Sequence, residues 1–153
     1  MQAFSLNACL MRFHFIYSQR DGRNFLMMAQ PASVGIDLID IARVRRILRE
    51  HGERFLDHLL GDRERELIAA RHDKEQFLAG RFAAKEAAIK ALGKYLTRRP
   101  AFHALEIIPD ANGQPQLRFG GEIANTLAHL QALVSISHER NYAIAIVVLS
   151  EKP

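Results

Sequence analysis

Two acidic side chains in this sequence sit where a carboxylate needs a reason. Glu86 lies between two lysines in Phe82-Ala83-Ala84-Lys85-Glu86-Ala87-Ala88-Ile89-Lys90. Helical spacing puts Glu86 and Lys90 one turn apart on the same face. Asp37 ends the apolar run Val34-Gly35-Ile36, 49 residues upstream of Glu86. A charge at the end of a buried strand is costly unless it is paired or bound to a metal. Two carboxylates from separate elements, completed by water and by substrate phosphate oxygens, match what Mg²⁺ requires. Lys90 could hold the same phosphates as a point charge. Plainer readings stand beside this one. Asp37 could cap the following helix in competition with Asp40, and Glu86 with Lys90 could be an exposed pair worth roughly a few tenths of a kcal/mol. His138 is a third candidate, because a neutral imidazole accepts a proton near pH 7. A histidine at a strand end also reads as a surface residue.

The elements that must position these groups follow from periodicity. Residues 33–39 read as a strand, with Gly35 at a point of close backbone approach. Asp40 is a suitable N-cap for a helix whose apolar positions Ile41, Val44, Ile47 and Leu48 repeat at helical spacing and which Gly52 stops. Arg43, Arg45, Arg46 and Arg49 line its other faces. A helical turn follows near residues 55–60, and Asp62 can cap a helix through Ala70. The helix bearing Glu86 is predicted over 75–96. Leu78, Phe82, Ile89, Leu92 and Leu96 form its apolar stripe, and its alanines give high propensity and permit close packing. Residues 105–108 and 116–119 read as a hairpin around Asp110-Ala111-Asn112-Gly113-Gln114-Pro115. A short helix is expected over 122–130 and paired strands over 133–137 and 142–149. Helices and strands do not alternate regularly, so the class expected is α+β.

The chain has 153 residues, 48% apolar and 25% charged, which suits one domain with one core and not a disordered chain. It has no apolar run of 18 residues, so no transmembrane helix is expected. The single cysteine, Cys9, excludes an internal disulfide, and no Cys/His cluster has zinc-site spacing; a reducing cytoplasm fits best. A formal net charge of +4 suits nucleic acid, an acidic protein or a phosphorylated substrate. No zinc finger, aromatic RNA-binding motif or lysine-rich tail accompanies it, which argues against nucleic acid. Residues 1–33 hold all four methionines and are basic and acid-poor, as a presequence is. Arg12 and His14 interrupt their apolar stretch, however, and no clear cleavage site follows. The expected organisation is an N-terminal extension over 1–33, disordered or the product of a start assigned upstream of Met27 or Met28, and one domain over 34–153.

Val34-Gly35-Ile36-Asp37, followed at this distance by Gly80-Arg81-Phe82-Ala83-Ala84-Lys85-Glu86-Ala87-Ala88-Ile89-Lys90, resembles the two-part signature of the 4′-phosphopantetheinyl transferases, most closely their short single-unit type. The likeness spans roughly residues 33–150. It extends to Phe102-His103-Ala104-Leu105-Glu106-Ile107, to the Asn112-Gly113-Gln114-Pro115 turn and to Val134-Ser135-Ile136-Ser137-His138. The resemblance implies that family's fold, a small antiparallel sheet packed against a long central helix and shorter helices. It also implies a reaction, in which the phosphopantetheine arm of coenzyme A passes to a serine of apo acyl-carrier protein and adenosine 3′,5′-bisphosphate leaves, serving fatty acid biosynthesis. By position it makes Asp37 and Glu86 ligands of Mg²⁺ and Lys90 a contact of the coenzyme A phosphates, with Arg81 and Lys85 as further candidates. Ser137 and His138 fall beside the coenzyme A site. The base that takes the serine proton stays open among His138, Glu86 and a water on the metal. Carrier proteins of this family are acidic, so Arg43, Arg46, Arg49 and Arg54 would steer docking. The alternative is a solvated basic face, since Glu50, Glu53, Asp57, Asp62 and Glu64 are interleaved there. A single unit must complete its site with a neighbour, so the resemblance implies a homotrimer with sites at subunit interfaces.

Overall fold

The computed structural model describes residues 31–152. The expectations for the N-terminal extension lie outside the described residues, except at 31–33. Those three are part of the first strand, β1 (Pro31–Asp40). The folded unit therefore starts before residue 34, and the Ser33 hydroxyl donates to the Ala91 carbonyl at 2.7 Å. Along β1, Gly35 and Ile39 are buried while Val34, Ile36 and Leu38 face outward, the period-two pattern of a sheet packed on one face.

Asp40 ends the strand and caps α1 (Ile41–His51), accepting from the backbone N–H groups of Ala42 at 2.7 Å and Arg43 at 3.2 Å. Gly52 stops that helix with φ of 50°. Two short helices follow, α2 (Glu53–Leu59) and α3 (Asp62–Ala69). Asp62 is the first residue of α3 and not its cap; the Gly61 N–H is satisfied instead by the Glu64 carboxylate at 3.0 Å.

The central helix, α4 (Lys74–Leu92), is buried on nearly every side through Phe77, Leu78, Ala83, Ala84, Ala87, Ala88, Ala91 and Leu92. The alanines are what let a sheet and other helices close around it. It stops one turn earlier than residue 96, at Gly93, and Lys94 donates back to the Ala32 carbonyl at 2.6 Å. A 3₁₀ turn (Phe102–Ala104) leads into the hairpin β2 (Leu105–Pro109) and β3 (Pro115–Phe119), whose loop places Gly113 at φ of 82°. The helix expected over 122–130 is only α5 (Ile123–Thr126); β4 (Leu130–His138) starts early because Leu130 already pairs with Glu151 of β5 (Tyr142–Glu151). The main sheet is antiparallel in the order β1-β5-β4, and α4 crosses its inner face. The α+β expectation holds.

The crossing is tight at β1. A Cβ on Gly35 would stand 2.0 Å from the Ala87 carbonyl oxygen and 2.9 Å from the Ala91 nitrogen, both backbone atoms of α4. Gly35→Ala is therefore expected to cost about 2–3 kcal/mol through overpacking, a drop of roughly 6–15 °C in Tm. Thermal unfolding of the variant checks this, and an unchanged Tm would show that strand and helix separate freely.

Candidate active site

Asp37 points to the inner face of the sheet, with a side chain 16% exposed. Its Oδ1 accepts from Lys90 Nζ at 2.8 Å, and the same ammonium donates to the Ile36 carbonyl at 2.9 Å. Lys90 has three donors, so one remains for a ligand. Lys90 thus reaches across to β1 instead of pairing with Glu86. Glu86 Oε1 is held at 2.6 Å by Arg99, which follows the end of α4. Neither plain reading of the two acids survives: Asp40 does the capping, and Glu86 with Lys90 is not an ion pair. Arg99 lies beyond the predicted end of that helix, where no sequence signal marks it.

Asp37 Oδ2 is buried and has no hydrogen-bond partner among the described residues. Leaving such an oxygen unsatisfied costs about 1–3 kcal/mol; a cation beside it would remove that cost. An orphaned carboxylate oxygen on β1 and a second carboxylate on the adjoining stretch of α4 fit a hard divalent ion that takes its other ligands from water and phosphate. Among the described residues no cluster of three or more acidic, His or Cys side chains could do so alone.

The second lysine of the motif lies elsewhere. Lys85 is wholly buried and donates to the Leu59 carbonyl at 2.5 Å and to Glu64. Burial pushes its pKa down, against the pull of Glu64. The expected contact of Lys85 with phosphate is corrected: it has no surface to offer a ligand. Glu64, counted among exposed acids in the sequence, is fully buried.

Arg81 and His138 do come together. They line a cavity of about 200 Å³ with Arg71, Gly80, and Gly113 and Pro115 of the β2–β3 hairpin. Arg71 and Arg81 both lie over the Phe77 ring, 4.9 and 4.3 Å from its centroid. Arg71 also donates to both oxygens of Asp73, at 2.8 and 2.6 Å, which holds that carboxyl below its ordinary range. No sequence signal marked Arg71. Ser137 is not on this wall. Its register partner is Ile144, whose side chain is on the outer face of the sheet, so alternation turns Ser137 away from His138. The cavity belongs to the β4 edge of the sheet, where Gly80 meets Ile136. Asp37, Glu86 and Lys90 belong to the β1 edge. One chain thus carries a carboxylate–lysine cluster at the β1 edge and an arginine-lined cavity at the β4 edge.

The sequence profile of one family matches residues 33–147. The chain belongs to the 4′-phosphopantetheinyl transferase superfamily. Within it, the holo-[acyl-carrier-protein] synthase of Azoarcus sp. (strain BH72) is 40% identical over 121 residues, 78% of this chain and 97% of the relative. That of Halorhodospira halophila is 41% identical over 121 residues, 77% and 96% of the two chains. The solved holo-[acyl-carrier-protein] synthase of Neisseria meningitidis superposes with a TM-score of 0.73 at 27% identity, covering 79% of this chain and 99% of that one. The Bacillus anthracis synthase, solved in complex with CoA (3′,5′-ADP), gives 0.67 at 31% identity over 80% and 98%. The fold is that of the 4′-phosphopantetheinyl transferases.

Arg43, Arg46 and Arg49 are exposed on α1 and Arg54 on α2, and none makes an ion pair among the described residues. Arg45 differs, being tied to Glu75 at 2.9 Å. A wider hollow of about 420 Å³ between α1 and the start of α4 includes Arg45, Lys74 and Arg140. It shares the lining residues Asp73 and Gln76 with the smaller cavity.

Proposed function

We propose that this protein is a holo-acyl-carrier-protein synthase that moves the 4′-phosphopantetheine arm of coenzyme A to a serine of apo acyl-carrier protein. The observation that carries this is the Asp37–Lys90 pair beside Glu86, with a buried, unsatisfied oxygen on Asp37. The serine oxygen forms a bond to the phosphorus that bears pantetheine, the diphosphate bridge breaks, and adenosine 3′,5′-bisphosphate takes the electron pair. Such a transfer needs alignment and charge neutralisation more than covalent help. Asp37 and Glu86 would hold Mg²⁺, which supplies charge neutralisation to a bound diphosphate. Lys90 contributes its spare N–H to the same oxygens, and Arg71, Arg81 and His138 bind the nucleotide end. Chromatography tests this reading: adenosine 3′,5′-bisphosphate should form from coenzyme A only when apo carrier and Mg²⁺ are present. Its absence under those conditions would overturn it.

Two half-sites on opposite sheet edges suit an assembly in which the β1 edge of one subunit meets the β4 edge of the next. The outer face of the sheet offers a homotrimer a surface to bury. It exposes Val34, Ile36, Leu38, Leu133, Ile144 and Ile146, and register stacks them in rows such as Val34-Val148-Leu133 and Ile36-Ile146. A contiguous apolar face of this kind needs a cover. The transferase unit runs through the described residues; a cytoplasmic enzyme of fatty acid biosynthesis is the setting that goes with such a carrier. No described helix is long and apolar enough to cross a membrane.

The free arginines of α1 and α2 fit an acidic carrier. Replacing Arg43, Arg46 and Arg49 together by Ala is expected to raise the KM for carrier about tenfold with kcat little changed, and to flatten its salt dependence. Steady-state kinetics at two ionic strengths checks this; an unaltered KM would assign docking to another face.

A further inference from the structure

The inner side of α4 holds a charge cluster that the transfer reaction leaves unused. Glu64 and Lys85 are both fully buried. Glu64 Oε2 accepts from the Gly61 N–H at 3.0 Å and from Lys85, and Oε1 accepts from the Ile107 N–H at 3.0 Å. Three elements therefore fix this carboxylate, and it cannot follow a ligand. Arg81 Nε lies 3.6 Å from Oε1, and Glu64 is the only acid within ion-pair distance of Arg81 among the described residues. The Arg81 side chain is 13% exposed, and its buried Nε has no hydrogen-bond partner. The Phe77 ring lies against the guanidinium plane, 4.3 Å away. Ring and carboxylate thus constrain Arg81 in two directions while it lines the cavity shared with His138.

The charge count matters as much as the geometry. One carboxylate shared by two buried cations leaves a net charge of about +1 in a water-poor setting, where electrostatic attraction is strong. Lys85 takes up the charge of Glu64, so Glu64 can orient Arg81 without cancelling it. We propose that Glu64 is a positioning residue for coenzyme A: its anchored carboxylate sets the Arg81 guanidinium at the cavity wall, and Lys85 keeps that guanidinium available to phosphate. The inference rests on reading this cavity as the place for the nucleotide end of coenzyme A.

The test compares the wild-type protein with Arg81→Ala and with the double variant Glu64→Gln/Lys85→Met, which removes both members of the buried pair and so leaves the net charge of the cluster unchanged. Binding of adenosine 3′,5′-bisphosphate is measured by titration calorimetry and transfer by steady-state kinetics. The expected result is about tenfold weaker nucleotide binding and a similarly raised KM for coenzyme A in both variants, with kcat and the KM for carrier unchanged. Wild-type binding by the double variant, beside weakened binding by Arg81→Ala, would overturn the positioning role alone. Wild-type binding by Arg81→Ala would overturn the reading of the cavity, and the inference with it. Should the double variant not fold, Glu64→Asp is read in the same way. It keeps the charge one methylene short of Arg81, so it should raise the KM for coenzyme A at constant kcat, and an unaltered KM overturns the proposal.

Discussion

Glu86→Gln is expected to lower kcat for carrier modification by at least about 10²-fold while the protein stays folded. The substitution keeps the shape of the side chain and removes the negative charge that a divalent cation needs. Its structural cost is small, because the only partner of Glu86 among the described residues is Arg99, in a pair whose side chains are 56% and 22% exposed. Such pairs contribute about 0.2–1 kcal/mol. Asp37→Asn should behave alike in turnover, since it removes the acid whose second oxygen is buried and unsatisfied. Kinetics at saturating Mg²⁺ together with thermal unfolding separates the two effects. Activity within tenfold of wild type would remove Glu86 from the site.

Ile146→Asp is expected to break the proposed homotrimer and, with it, transfer. Ile146 sits at the centre of the outer face, paired with Ile36 on one side and Ser135 on the other, and its side chain is on the face opposite that of Asp37. A carboxylate buried there without a partner is strongly unfavourable, so light scattering should report monomers that bind nucleotide weakly and do not modify carrier. A variant that remains trimeric and active would mean that this face is not the one subunits share.

Much of this was legible in the sequence, and the exceptions have physical causes. Strand β1, the Asp40 cap and the Gly52 stop are local chemistry: a period of two, a short acid before an apolar helix, a residue tolerant of positive φ. Gly35 was recognisable as a close approach, although which backbone it meets was not. Along the chain Lys90 differs from Lys85 only in sharing a helix face with Glu86. What separates them is the partner that folding supplies, Glu64 for one and Asp37 for the other, 21 and 53 residues away. Glu64 itself read as a surface acid, because nothing local says that Ile107 N–H and Gly61 N–H will need an acceptor. Residues 127–129 form a turn and Leu130 is drawn into β4 by pairing with Glu151 of β5, against a helical pattern of only modest strength. Ser137 and His138 are neighbours in sequence but face opposite sides of a sheet, which only the register reveals.

The most direct measurement is the intact mass of an apo acyl-carrier protein after incubation with this protein, coenzyme A and Mg²⁺. The account predicts the gain of one phosphopantetheine on a serine, abolished by a chelator and by Glu86→Gln. A carrier that keeps its mass, in the presence of well-folded protein, would contradict it.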